Sequence, residues 1–544
     1  MIAILHGYLL EGSGSNLWTR SVIQSICNSG ETVHLICQEN HPELYDFICE
    51  GIIYHSNGTK ETILKRDPVY PGKCILHKPK LGNTLPVYVS DKYEEFSDPQ
   101  PMINLGDVEI ENYLQINIKV LTQVVDENQV KVIHANHAVL MSVVAQRVAK
   151  KRRIPYAIMP HGSAIEYAVK KDRRFYQYAE QAFGEAQRIY VIGNEIRKRV
   201  KELFTAIPEI ESKMLELNLG VNTLLFNPVI VKERKAKINE LYELLKEVKR
   251  GKTNLHSQNM QNELKADISE QELLKVINAS ASYNAKLTDD NVEEKLQMID
   301  WDTEKIILYV GRLIANKGLH SIIAALPEIL DAEPNTRLIV VGHGPQREPL
   351  EALIWALQNG HTDLVLNIVK WGRKLESNGE KSLEEVQFYF DHLKKSNELD
   401  NYFNKAQKNI NKNIVLFTGY LTHRELCCLF PACDVAIFPS VVAEAGPLVF
   451  LEAMASGCFP IGTYFAGMAA SIDSVSQALP PDIVDLMKLS PQADQTVLDI
   501  VTKVKKALYI DRIYKEKLHN VAVEKYDWKN ISDRLVSDLY QLQS

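Results

Sequence analysis

The stretch DVAIFPSVVAEAGPLVFLEAMASG, Asp434 to Gly457, decides the fold. DVAIFPS is a short continuous apolar run, the pattern of a strand buried on both faces and so of a parallel sheet covered by helices. Pro447 stands where a first helical residue loses nothing by lacking an N–H, and Gly457 supplies the stop. Strand, loop and helix in succession put Glu444 in the loop at the strand's carboxyl end and Glu452 about one and a half turns into the helix. Ligands of open α/β sheets bind at those carboxyl ends, and amides at a helix N-terminus suit an anion. The Gly446-Pro447-Leu448 turn therefore reads as a phosphate cradle and the two glutamates as acceptors for hydroxyls, against the plainer reading of an acidic loop residue and a helix-surface Glu.

The same alternation runs outward in both directions. Before it come IILYVGR (Ile306–Arg312), RLIVVGHGP (Arg337–Pro345) and NIVLFTG (Asn413–Gly419), and after it CFPIGT (Cys458–Thr463), all strand candidates. An earlier series, IAIL (Ile2–Leu5), TVHLIC (Thr32–Cys37), VKVIH (Val130–His134), YAIMP (Tyr156–Pro160) and RIYVIG (Arg188–Gly193), makes a first α/β domain over residues 1–225. The second domain spans 226–515, followed by a closing helical segment, 516–544. Two polar, Lys/Glu/Asn-rich segments, about 230–298 and 358–412, interrupt the second domain and read as helical insertions that cap or extend it.

In YVGRLIANKGLHSI (Tyr309–Ile322), Arg312 and Lys317 follow a strand end across a turn with Asn316 and Gly318. Two cations there can hold a diphosphate, Arg by its fork and Lys as a point charge. VGHGP (Val341–Pro345) is either a glycine-rich ligand loop or a strand-to-helix turn. EGSGSN (Glu11–Asn16) follows the first strand and precedes a helix beginning at Leu17. Its Gly12 and Gly14 allow close backbone approach, but Leu17 occupies the third glycine's place of a dinucleotide fingerprint, which counts against a dehydrogenase. PHGSAIEY (Pro160–Tyr167) sets His161 directly after a buried strand. His134 and His137 have HxxH spacing without a carboxylate cluster, so no metal site is read there.

The bulk numbers are those of a globular chain of two domains: 544 residues, 45% hydrophobic and 24% charged. A net charge of -7 argues against a nucleic-acid partner. The basic stretches KKRR (Lys150–Arg153), KKDRR (Lys170–Arg174) and RKRVK (Arg197–Lys201) read as solvated faces, with contact to an anionic acceptor or a membrane surface as the alternative. The N-terminus reads as a strand rather than a signal peptide, and no window approaches a transmembrane span. The eight cysteines contain no CxxC pair and read as reduced, buried thiols of a cytoplasmic protein.

Taken together these residues resemble glycosyltransferase family 4, retaining, sugar-nucleotide-dependent enzymes of GT-B architecture. The resemblance rests on HGYLLEGSGSN, IPYAIMPHGS, LNLGVNTLLFNP, YVGRLIANKG, VGHGP, VLFTGYLTHREL, the opening stretch and EKYDWKNISDRL, in the family's order. It implies two Rossmann-like doubly wound domains facing across a cleft, the C-terminal helix crossing back to the first. It further implies that Arg312 and Lys317 bind the donor diphosphate, that Glu452 holds the ribose hydroxyls, and that Glu444 contacts the donor sugar. By the same likeness His161 stands beside the transferred sugar, Gly14 closes over the phosphates, and Gly419 to Leu421, with Tyr420, border the base. No cofactor and no metal are implied; a UDP-sugar is the default donor, and the acceptor and oligomeric state are left open. AGMAASI (Ala466–Ile472) departs from the family's paired-glycine turn. The rival expectations are a phosphorylase or epimerase on the same fold and a catalytically silent sugar-nucleotide-binding or scaffold protein.

Overall fold

In the computed structural model, the apolar runs pair into two parallel sheets, each within its own α/β unit. Residues 1–11, 14–82, 84–88, 98–281, 286–376, 379–411, 413–444 and 446–543 are described. The first unit is Met1–Gly220 with Lys525–Ser544, and the second is Val221–Glu524.

The first unit holds β1 (Ile2–Leu5), β2 (Thr32–Ile36), β3 (Ile48–Tyr54), β4 (Lys60–Lys65), β5 (Lys73–Pro79), β6 (Thr84–Val87), β7 (Asp98–Pro101), β8 (Val132–Asn136), β9 (Tyr156–Met159), β10 (Arg188–Val191) and β11 (Met214–Glu216). Nine of them form one sheet in the order β11-β10-β9-β8-β1-β2-β5-β3-β4, while β6 and β7 pair separately. Only β4 runs antiparallel to its neighbour in the large sheet. The second unit orders β12 (Lys305–Val310), β13 (Thr336–Val341), β14 (Val415–Gly419), β15 (Val435–Phe438), β16 (Phe459–Thr463) and β17 (Lys488–Leu489) as β14-β13-β12-β15-β16-β17, all parallel. The strands of both sheet centres are buried along their length, as continuous apolar runs require.

The chain returns to the first unit later than the sequence reading placed it. Helix Arg512–Tyr526 stays with the second unit, where His519 Nδ1 donates to the Ala455 carbonyl at 2.7 Å and Lys515 Nζ lies 3.8 Å from Asp434. Asp527 then caps a separate helix, Trp528–Gln541, by accepting from Lys529 N at 2.9 Å. Leu535 and Leu539 of that helix join Trp18, Val22 and Ile26 of helix Gly14–Asn28 in one core. Trp528 covers Gly220, where a Cβ would overlap the indole ring. The boundaries of the units thus fall at 220/221 and 524/525 rather than 225/226 and 515/516.

Both polar segments are helical. The first contains Arg234–Leu245, Asn254–Glu263, Glu270–Ser280 and Val292–Gln297; the second, Thr362–Trp371, Glu384–Lys395 and Leu399–Asn409. Arg234 fastens the first to the sheet: its guanidinium donates to Asp434 Oδ1 at 2.7 Å, with both side chains buried, and Asp434 Oδ2 also accepts Ile306 N at 2.9 Å. The second helix group packs on Leu319–Ala332, with Tyr402 Oη donating to the Ala324 carbonyl at 2.9 Å. All eight cysteines are free and buried.

Unit one carries an unusual load of buried histidines. Burial is the first cause that lowers His6, His34 and His134 to about 4 and His77 and His161 to about 3, and it holds His137 well below its ordinary value. These groups are neutral when folded and take up protons on unfolding once the pH falls below about 6.5, so the folded state loses stability as pH drops from there. The urea midpoint of the first unit is therefore expected to fall steeply between pH 7 and pH 5; a midpoint flat over that range would contradict the buried, neutral assignment.

Candidate functional site

The strand order reverses between β12 and β15 in the second unit and between β1 and β8 in the first. Loops at the carboxyl ends of strands flanking such a reversal diverge and leave room for a ligand.

In the second unit the loop after β12 turns through Ala315–Lys317 into Gly318, whose φ is +73°. A Cβ on Gly318 would overlap the Pro439 carbonyl oxygen, so only glycine lets this turn seat against the end of β15. The seat is bonded: the Asn316 carbonyl accepts Val441 N at 2.9 Å and Ser440 Oγ at 3.2 Å. This brings Lys317 Nζ to 2.7 Å from Glu444 Oε2. The Glu444 carbonyl accepts Gly467 N at 2.8 Å, and Ala466 takes the left-handed turn (φ +50°) that the missing glycine would have supplied.

Arg312 is held by its backbone. Tyr309 Oη donates to the Arg312 carbonyl at 3.0 Å, and Leu313 N donates to the His343 carbonyl at 2.8 Å. The VGHGP loop is therefore a clamp on the Arg312 turn, with Gly342 (φ +148°) placed where a Cβ would overlap the Gly311 carbonyl. The Arg312 guanidinium is exposed and, among the described residues, paired with no carboxylate.

Pro447 is the N-cap of helix Leu448–Ala455 rather than its first residue, and Gly446 sits half-buried just before it. Ala445 lies outside the described residues. Glu452 is buried; His423 Nδ1 pairs with its Oε1, while Oε2 has no partner among the described residues. A buried carboxylate oxygen without a donor is costly unless a ligand hydroxyl supplies one.

Tyr420 leans edge-on against His343 (5.3 Å), its N–H donating to the Leu287 carbonyl at 3.0 Å. The first insertion thus reaches the end of β14, and with the glycine loop it encloses a cavity of about 290 Å³ lined by Arg250, Asp289, Gly342, His343 and Gly419 among others. In its wall Arg347 donates to Asp289 at 2.8 Å, and Lys252 donates to Glu348 at 3.0 Å. The second insertion reaches the site too: buried Glu376 Oε2 accepts Ala315 N at 2.9 Å, and burial raises its carboxyl above the ordinary range.

In the first unit Gly14 opens helix Gly14–Asn28, three residues before the start expected at Leu17, and a Cβ there would meet nothing within 4 Å. Gly12 lies outside the described residues. His161 follows β9 in a left-handed conformation (φ +45°), 7% exposed, its Nε2 3.1 Å from Asn136 Oδ1. Asn136 Nδ2 donates to Thr19 Oγ1 at 3.0 Å, so the helix that begins at Gly14 and the His161 loop share one buried polar chain. Among the described residues no cluster of His, Cys, Asp and Glu suits a metal, HxxH included.

Glu376, His423, Asn136 and Thr19 escaped the sequence reading. Glu376, Asn136 and Thr19 lie outside the quoted motifs, and His423 lies within VLFTGYLTHREL without being singled out; each touches a motif residue from another segment.

Residues 291–375 and 394–474 match the family Glycosyl transferases group 1, and residues 93–211 match Glycosyltransferase Family 4. The chain belongs to the family 4 glycosyltransferases. An uncharacterized glycosyltransferase of Methanocaldococcus jannaschii is 26% identical over 242 residues, 43% of this chain and 45% of that protein. The chain thus spans less than half the length of the curated relatives it matches. Its fold is GT-B, shared with sucrose-phosphate synthase from Thermosynechococcus elongatus (TM-score 0.53, 16% identity, 99% and 98% of the two chains). The catalytic domain of starch synthase IV from Arabidopsis thaliana, bound to ADP and acarbose, shares it as well (TM-score 0.53, 12% identity, 100% and 99%).

The Glu376 contact yields a test. Glu376→Ala removes the acceptor that fixes the Ala315–Lys317 turn, and the fold should persist while nucleoside diphosphate affinity falls about tenfold, a loss of ~1.4 kcal/mol. Calorimetric titration with UDP checks this; undiminished affinity would confine Glu376 to packing.

Proposed function

We propose that this family 4 glycosyltransferase moves a hexosyl group from a nucleoside diphosphate sugar, a UDP-sugar in first place, to an acceptor hydroxyl with retention of anomeric configuration. What carries this reading is the set of groups at the β12/β15 reversal: the Lys317–Glu444 pair at 2.7 Å, the exposed Arg312 on the same β12 loop as Lys317, and the Oε2 of buried Glu452, which has no hydrogen-bond partner among the described residues. The UDP preference follows the family's usual donor. ADP, which starch synthase IV holds in its structure, is the competitor to test against it.

In this reading the Glu452 carboxylate takes the ribose hydroxyls, its open oxygen gaining the donor it lacks. Charge that develops on the leaving diphosphate is met by Arg312, by Lys317 and by the first amides of helix Leu448–Ala455, the preorganised stabilisation that contributes most to such reactions. Lys317 has three donors, so it can serve Glu444 and a phosphate oxygen together. Glu444 then orients the sugar hydroxyls. Burial leaves His161 neutral, so beside the sugar it is a hydrogen-bonding group rather than a proton donor. No group is assigned as covalent nucleophile: the departing phosphate takes the acceptor's proton on the same face. The two cations do the work that a divalent metal would otherwise do, in a cytoplasmic enzyme.

Nucleotide release from a panel of UDP-, ADP- and GDP-sugars, with product anomers read by NMR, tests the whole. Turnover with an α-linked product from an α-linked donor supports it. No release from any donor would favour a silent sugar-nucleotide-binding protein, and an inverted product would end the retaining mechanism. Glu452→Gln should mainly raise the donor KM, since ribose is held alike in ground and transition states, whereas Glu444→Gln should mainly lower kcat. Steady-state kinetics of the two variants separates the roles, and wild-type constants in both would make the glutamates bystanders.

A further inference from the structure

The hydrogen-bond chain behind His161 fixes which ring nitrogen carries the proton. It starts at Asn16, whose Nδ2 donates to the Glu11 carbonyl and so turns Oδ1 toward His6 Nε2, 3.0 Å away. The Leu9 carbonyl lies 3.1 Å from the same nitrogen. Both are acceptors, so His6 is protonated on Nε2 and its Nδ1 is an acceptor. Thr19 Oγ1 lies 3.2 Å from that Nδ1 and 2.8 Å from the Ser15 carbonyl, two acceptors competing for its one hydrogen. The hydroxyl can therefore only accept from Asn136, whose Nδ2 is 3.0 Å away. This orients the amide, and Oδ1 faces His161 Nε2 at 3.1 Å and His134 Nε2 at 3.3 Å, both of which must carry N–H.

We propose that Asn136 is a positioning residue that locks His161 in the Nε2–H tautomer, so that the neutral ring offers its Nδ1 lone pair to a hydroxyl of the transferred sugar. This rests on the reading of His161 as the group beside that sugar. Nδ1 makes no hydrogen bond among the described residues. A sugar hydroxyl becomes a stronger donor as the ring gains oxocarbenium character, so a bond to a neutral Nδ1 tightens in the transition state, the only kind of contact that raises kcat. In the other tautomer Nδ1–H can only donate to the hydroxyl oxygen, a bond that weakens as the ring gains oxocarbenium character. The titratable groups facing His161 are His6, His134 and His137; burial first, then His6 and His134, keep the ring neutral. The left-handed φ of His137 (+73°) and His161 (+45°) is backbone strain of the sort retained where a side chain must be aimed.

The full-length protein labelled with 15N-histidine tests this, the His161 signal being assigned by its loss in His161→Ala. At pH 7 the wild type should show a protonated Nε2 and a bare Nδ1, and Asn136→Ala should shift toward a mixture of tautomers. Donor turnover, followed as UDP release from UDP-glucose, should fall at least about tenfold in kcat with KM within about twofold. Asn136→Asp keeps the acceptor and so the tautomer, but its charge raises the imidazole pKa. Its rate should approach wild type at alkaline pH and decline through an acid limb about one unit or more above that of wild type. A wild-type Nδ1–H tautomer, or one unmoved in Asn136→Ala, overturns the positioning role. The expected tautomers together with wild-type kcat in both Asn136→Ala and His161→Ala overturn the placement of His161 at the sugar, while leaving the transfer reaction itself standing.

Discussion

The strand-end site of the second unit depends on one close approach, that of the Gly318 backbone to the Pro439 carbonyl. Two loops that leave adjacent parallel strands in opposite directions would otherwise splay apart, since the doubly wound order separates them. Because position 318 lacks a side chain, the turn after β12 lies directly on the end of β15, and the bonds from Val441 N and Ser440 Oγ to the Asn316 carbonyl hold it there. A cation from one loop and a carboxylate from the other then meet in a fixed pair rather than by chance encounter of long side chains. Preorganisation of this kind is what charge stabilisation in a transition state requires.

The two insertions follow from the same constraint. Each adds helices at a distance, and each also sends one short segment to the strand ends: Leu287–Asp289 against Gly419 and Tyr420, and Glu376 against Ala315. Their charges are satisfied locally, Arg234 by Asp434, Lys252 by Glu348, Arg347 by Asp289, which is how ionic groups this buried are tolerated. Residues 212–290 lie outside both family matches, yet they line part of the cavity beside Tyr420.

Much of this was legible beforehand because parallel strands buried on both faces leave continuous apolar runs, and because a turn that needs φ > 0 leaves a glycine. The central strands were found that way, and Lys317 and Glu444, read as strand-end loop residues, do meet there. Ile48–Tyr54, Lys60–Lys65 and Lys73–Pro79 of the large sheet were not found, nor were Met214–Glu216 and the separate pair Thr84–Val87 and Asp98–Pro101. KETILK is an exposed antiparallel edge strand with no apolar run to detect, and its neighbours mix Glu, Lys and His into their pattern. The helix start at Gly14 was misplaced because glycines read as loop. Asn136 and Glu376 were invisible for a different reason: their roles consist of a single hydrogen bond to a residue far away in sequence, which no spacing rule encodes. Ala466 carries the same lesson in reverse, since a departure from the family's glycine leaves the backbone conformation in place.

The most direct test of the account is the nucleoside diphosphate affinity of Gly318→Ala. The added methyl must push the β12 loop off the Pro439 carbonyl and part Lys317 from Glu444. The account predicts a folded protein whose UDP affinity, measured by calorimetry, falls at least about tenfold, ~1.4 kcal/mol, while its affinity for uridine changes little. Wild-type UDP binding in that variant would show that the two loops need no such seat and would contradict the account.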